Sequence, residues 1–180
     1  STMTLLLHIR SLISRVHMPN SLTQFIAALK ATEDSGQLQF NCGIERETLR
    51  VKADGNLDTS AHPAFLGSKL THPLITTDFS ESQLELITGV HTSGQAALKE
   101  LDEVHRFIYS GLDDEVLWSS SMPCVLLNNT DIPLAYYGDS HVGRRKTIYR
   151  AGLGNRYGRS MQTICAVHYN FSFPQHFWAW

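Results

Sequence analysis

Apolar positions along this chain recur with two different periods, and the switches between them mark out the elements. In "NSLTQFIAALKATEDSG", Leu22, Phe25, Ile26 and Leu29 fall at helical spacing behind an Asn or Ser cap and ahead of Gly36, which predicts an amphipathic helix. "LQFNCGIERETLRV", the turn "KADGN" and the stretch to Thr59 predict a strand and hairpin, because Asp54-Gly55 supplies the turn chemistry. "HPAFLGSKL" reads as a short helix, and "LITTDFS" and "QLELIT" as two strands or as one strand broken by "SES". From Ser93, a cap, the residues Leu98, Leu101, Val104, Ile108 and Leu112 make one stripe of a long helix. A polar loop with "SSSMPC" follows. "YYGDSHVGRRKTIYRAGLGNRYG" then starts as a loop and becomes helical around 143 to 151.

The end of the chain returns to a period of two. "MQTICAVHYNFSF" sets Thr163, Cys165, Val167, Tyr169, Phe171 and Phe173 on one face and Gln162, Ile164, Ala166, His168, Asn170 and Ser172 on the other. Helices and strands mix without a regular βαβ rhythm, so the expected class is α+β with a largely antiparallel sheet. The closing "HFWAW" is aromatic and follows directly on a strand, the pattern of a cut terminus whose aromatics further chain would cover.

Composition narrows the function classes. The 180 residues are 42% hydrophobic and 18% charged, which suits one globular domain or an ordered piece of something larger. A net charge of −2 argues against an indiscriminate nucleic-acid or anionic-membrane binder, although residues 140 to 180 hold six bases and no acid. Cys42, Cys124 and Cys165 make neither a CxxC pair nor an even disulfide framework, so a reducing, cytoplasmic compartment is the simplest. The leucine-rich, basic opening, residues 1–17, reads as an extension before a start at Met18, with a targeting helix as the alternative.

The chemistry concentrates in "GIERETLRV". On a strand Glu45 and Glu47 share a face, roughly 7 Å apart, and repel unless a cation sits between them. Two readings stay open from these residues alone. One is a solvated face with Arg46 and Arg50 as partners; the other is a divalent-cation platform, for which Mg²⁺ suits carboxylate oxygens. Asp78 at a strand end, Glu85 between Leu84 and Leu86, and His168 on the polar face of the last strand could join such a platform. No HExxH, EF-hand or zinc spacing occurs. The basic run "GRRKTIYRAGLGNRYGR" fits neither GxxxxGK[ST] nor GxGxxG, so it offers arginines for a phosphate or carboxylate, or a solvated helix face.

Taken together, "GIERETLRV", "LTHPLITTDFSESQLELIT", "SMPC", "YYGDSHVGRRKTIYRAGLGNRYG" and "MQTICAVHYNFS" resemble, in order and spacing, the bacterial glutamate–cysteine ligases over about residues 43 to 174. The resemblance implies a glutamine-synthetase-like fold, a curved antiparallel sheet with flanking helices that is incomplete in this chain, residues 18–180 being the amino-terminal part of the catalytic domain. It implies ATP-dependent ligation of the L-glutamate γ-carboxylate to the amine of L-cysteine through a γ-glutamyl phosphate, with two or three Mg²⁺. By motif, Glu45, Glu47, Asp78, Glu85 and His168 would be metal ligands. Phe79, Tyr149 and Leu153 would line the cysteine pocket, and Arg150 and Asn170 would contact substrate. The expected partners are glutamate, cysteine, ATP and the remainder of the ligase chain, with neither nucleic acid nor membrane. Cys165-Ala166 stands where the family has Ser-Gly, a departure between small residues that the strand should survive. Other readings are a different carboxylate–amine ligase, or a non-catalytic metal-binding or interaction module.

Overall fold

The computed structural model describes residues 22–34, 40–126 and 128–175. The expectations for residues 1–17, for the Asn20 or Ser21 cap and Gly36 stop, and for "HFWAW" lie outside the described residues. These residues form two compact units, a larger one of Gly43–Asn170 and a smaller one that holds residues up to Cys42 and from Phe171 onward.

In the smaller unit the first periodic segment is helix α1, Leu22–Asp34. Phe40, Phe171 and Phe173 form an edge-to-face triangle with ring centroids 5.2 to 6.5 Å apart.

The larger unit is built on one long strand, β1 (Asn41–Lys52), whose first two residues belong to the smaller unit. Strands β2 (Ile75–Thr77) and β3 (Gln83–Ile87) form an antiparallel pair, and β3 lies antiparallel to β1 with Glu47 opposite Glu85 and Leu49 opposite Gln83. A short strand the sequence reading missed, β4 (Glu115–Leu117), pairs with the other end of β1, Arg50 opposite Leu117. The last strand, β5 (Val167–Ser172), also pairs with β1, so the five-stranded sheet runs β2-β3-β1-β4 with β5 alongside β1. The pairs β1–β3, β1–β4 and β2–β3 are antiparallel, and helices flank the sheet, as expected for an incomplete α+β ligase sheet.

Local chemistry explains the connections. Gly55 takes φ 85° at the tip of the β1 hairpin, where its N–H donates to Lys52 O and the Asn56 N–H to Asp54 Oδ1. The return segment reaches only a bridge of Val51 to Leu57, short of the full strand expected to Thr59. "SES" is the turn between β2 and β3, closed by Gln83 N–H on Ser80 O, so the two-strand alternative is the observed one. "HPAFL" makes a single 3₁₀ turn, Ala64–Leu66.

Helix α2, Gly94–Gly111, starts at the expected Ser93 cap, whose hydroxyl accepts from Ala96 N–H. Its buried stripe is Ala97, Leu101, Val104 and Ile108, whereas Leu98 is 58% exposed. At about 100° per residue Leu98 lies roughly 90° around from the centre of that stripe, so the small Ala97 takes the core position. Helix α3, His141–Tyr157, is longer than the expected 143 to 151, because Ser140 caps Gly143 N–H and the helix runs through two glycines that packing requires. A Cβ on Gly143 would come within 2.7 Å of both Tyr137 O and Gly138 O, and one on Gly154 within 3.3 Å of Phe79. The alternation expected from residue 162 begins only at Val167, since Ser160–Thr163 is a 3₁₀ turn that buries Thr163.

Candidate functional site

Parity along β1 separates two sets of side chains. Glu45, Glu47, Leu49 and Val51 project to one face, and Ile44, Arg46, Thr48 and Arg50 to the other. On the first face Leu49 and Val51 enter a core with Leu57, Phe79, Cys124, Ile132 and Cys165, while Glu45 and Glu47 continue past the edge of that core. Arg46 and Arg50 therefore do not neutralise the glutamates.

Arg50 serves the opposite side. Its guanidinium is 0% exposed, donates to Ser60 Oγ at 2.8 Å and to Glu115 Oε2 at 2.7 Å, and also reaches the carbonyls of Ser60, Ala61 and Glu81. Asp58 lies 3.8 Å away. The planar fork thus ties β1, its hairpin return and β4 into one charge-matched node.

The glutamate face gathers acids instead. Cross-strand pairing sets Glu85 directly against Glu47, and Asp78 follows the end of β2. Burial, reinforced by Asp78, Glu47 and Glu45, pushes the Glu85 carboxyl up to about 7. Burial also raises Asp78 despite the nearby Arg150, and raises Glu47 despite the N–H of Ala166. Glu45 meets β5: Asn170 Nδ2 donates to its Oε1 at 2.9 Å, and His168 Nδ1 lies 3.4 Å from its Oε2. The structure thus brings Glu45, Glu47, Asp78, Glu85 and His168 to one electrostatically coupled wall. Among the described residues, no three His, Cys, Asp or Glu side chains converge as a preformed metal cage.

The segments carrying the acids are held tightly. Tyr137 Oη donates to the carbonyls of Thr77 and Asp78, and Arg150 Nε donates to Asp78 O while its guanidinium stacks 4.7 Å from the Tyr137 ring centroid. Lys146 Nζ lies 5.0 Å from the same centroid. The remaining bases of the run disperse: Arg144 is 3.8 Å from Asp139, and Arg159 donates to the Thr130 and Ile132 carbonyls. Cys165 is buried, and Ala166 exchanges backbone bonds with Glu47, donating to its Oε2 at 2.8 Å and accepting from its N–H at 3.0 Å. The Cys-Ala departure keeps the strand pairing.

Of the other expected site residues, Phe79 is 2% exposed in the core, Leu153 packs against that core, and Tyr149, one turn from Leu153 on α3, is 64% exposed. Sequence reasoning passed over Tyr137 and Gln83. A period-two reading of "QLEL" sets Gln83 on the same face as Glu85, so its signal was present; Tyr137 sits in a loop with no periodicity to mark it.

Comparison with known proteins identifies the family. A family model described as glutamate–cysteine ligase matches residues 26–180. The chain is 55% identical over 136 residues to glutamate–cysteine ligase of Alcanivorax borkumensis, covering 76% of this chain and 26% of that protein. It is 50% identical over 162 residues to that of a Janthinobacterium strain, covering 89% and 31%. The crystal structure of Francisella tularensis glutamate–cysteine ligase in complex with AMP superposes with a TM-score of 0.75 at 48% identity, over 78% of this chain and 28% of that one. A bifunctional glutathione synthetase from Pasteurella multocida gives 0.69 at 35% identity, over 77% and 18%. The chain spans about a quarter of the length of the first of these relatives. With the matched family model covering most of its residues, the chain belongs to the glutamate–cysteine ligase family.

Proposed function

We propose that this chain forms one wall of the catalytic site of an ATP-dependent ligase that joins the γ-carboxylate of L-glutamate to the amine of L-cysteine through a γ-glutamyl phosphate, the first step of glutathione synthesis. The observation that carries the proposal is the placement of Glu45, Glu47, Asp78, Glu85 and His168 on one face, four acids against Arg150, 3.7 Å from Asp78, and His168 beside Glu45. Relatives named glutamate–cysteine ligase favour this reading over another carboxylate–amine ligase, and the AMP complex of the Francisella tularensis protein supports a nucleotide substrate.

The donor set fits Mg²⁺ by chemistry. Four carboxylates supply hard oxygens, and the elevated carboxyls are in the state that a divalent cation relieves. Glu45, Glu47, Asp78, Glu85 and His168 would hold two or three ions, with the remaining ligands contributed by the longer ligase chain of the family. Bound Mg²⁺ supplies charge neutralisation for transferring phosphoryl oxygens. The chain's own residues then position. Arg150 and Tyr137 fix the Asp78 backbone, and Asn170 orients Glu45. Tyr149, Leu153 and Phe79 would flank the cysteine, and Arg150 and Asn170 would contact substrate. The separated quarter-length chain is expected to have negligible ligase activity. Glutamate- and cysteine-dependent phosphate release from ATP by a family-length ligase carrying this sequence is expected to fall at least 100-fold in Glu85→Gln; unchanged turnover at limiting Mg²⁺ would contradict the assignment.

A further inference from the structure

Beneath the acidic wall lies a polar side chain that neither the proposed reaction nor the fold accounts for. Gln83 is 0% exposed, and its Oε1 has no hydrogen-bond partner, an arrangement that costs free energy wherever an apolar residue would fit. Its register opposite Leu49 puts it on the glutamate face, two residues before Glu85. Its Nε2 lies 3.5 Å from Glu47 Oε2 and 3.7 Å from Cys165 Sγ. The thiol of Cys165 donates onward to Thr163 O at 3.5 Å, so the sulfur turns its lone pairs toward the amide. Only the orientation with the NH₂ between the carboxylate and the sulfur makes both contacts attractive.

The same residue reaches a second acid through its backbone, since Gln83 O accepts from Asp78 N–H at 3.0 Å. Both Gln83 Nε2 and Ala166 N–H address the same oxygen of Glu47, Oε2. We propose that Gln83 is a positioning residue of the metal wall: its buried amide holds the Glu47 carboxylate from behind while its carbonyl holds Asp78, setting both for a divalent cation. This rests on the metal reading above. Partners that orient a ligating carboxylate typically change metal affinity by 10- to 100-fold when removed.

The test uses Mn²⁺ as a spectroscopic stand-in for Mg²⁺, titrated into a family-length ligase carrying this sequence and into its Gln83→Met variant, which keeps the length and apolar packing of the side chain. The expected result is Mn²⁺ binding weakened about tenfold or more, with the metal-free melting temperature equal to or above that of the parent. A merely structural glutamine would lower the melting temperature and leave the affinity of the folded protein within twofold, which would overturn the inference while sparing the metal reading. Absence of Mn²⁺ binding by the parent ligase would overturn both. Should Gln83→Met not fold, side-chain ¹⁵N resonances of the unsubstituted protein decide: Mg²⁺ is expected to shift the Gln83 NH₂ signals, and a Gln83 signal that stays fixed at saturation overturns the inference.

Discussion

Three residues apart on β1, Glu47 and Arg50 bear charges that the protein treats in opposite ways. Arg50 is buried completely, both its terminal nitrogens reach acceptors, and Glu115 and Asp58 match its charge. Glu47 is only part buried, yet it faces Glu85 across the strand pair and lies near Asp78 and Glu45. The first arrangement stabilises the fold with what the chain already contains. The second costs stability in the metal-free chain, a cost that the proposed divalent cation would offset. The contrast shows why counting charged residues misleads: what separates a structural charge from a functional one is whether the surroundings already complete it.

The comparison can be broken most forcefully at Arg50. Arg50→Met leaves Glu115 and Asp58 facing one another without their cation and is expected to destabilise the protein by about 3–5 kcal/mol, read as a urea midpoint lower by more than roughly 1 M. A midpoint within experimental error of the parent would remove Arg50 from its structural role. On the other face, Glu85→Gln is expected to act with the opposite sign. A carboxyl held up to about 7 would imply a strain near ~3 kcal/mol at pH 8; its partial exposure reduces the expected gain in metal-free stability to about 1–2 kcal/mol. A loss of stability in that variant would mean the wall is already neutralised within the chain.

The smallest effect lies behind the Arg50 node, at His62. Burial and the nearby Lys69 hold its imidazole down to about 4, with Nδ1 3.0 Å from Thr77 Oγ1. The fold thus prefers the neutral ring, so this stability is complete above the ordinary histidine value near 6.5 and is lost as pH falls toward 4. Allowing for partial exposure, His62→Gln is expected to remove about 1 kcal/mol of the parent's stability loss between those pH values; parallel pH profiles for parent and variant would contradict it.

Much of this arrangement was legible in the sequence, for reasons that particular residues make clear. Period-two spacing sets Glu45 with Glu47, and Glu85 between leucines had to face away from them, so the composition of the wall followed from parity. Partnership was not legible. Arg46 and Arg50 stood beside the glutamates in sequence, but the same parity sends them to the opposite face, and Arg50 finds Glu115 on β4, a three-residue strand too short to carry a period. The extent of α3 was underestimated because Gly152 and Gly154 look like helix breakers until Phe79 is seen packed against Gly154. Ala97 displaced Leu98 from the core because an alanine carries too little hydrophobicity to register in a stripe. Gln83 shares its face with Glu85 by the same parity, but only its burial separates it from a solvated polar residue, and burial is not legible in the sequence.

Calorimetric titration of Mg²⁺, with and without ATP, into a family-length ligase carrying this sequence and into its Glu85→Gln variant tests most directly whether the acidic face of β1 and β3 binds a divalent cation. Saturable Mg²⁺ binding by the parent, weakened at least about tenfold in Glu85→Gln, is the expected result; equal binding by both, or none by the parent, would contradict a metal role for this face.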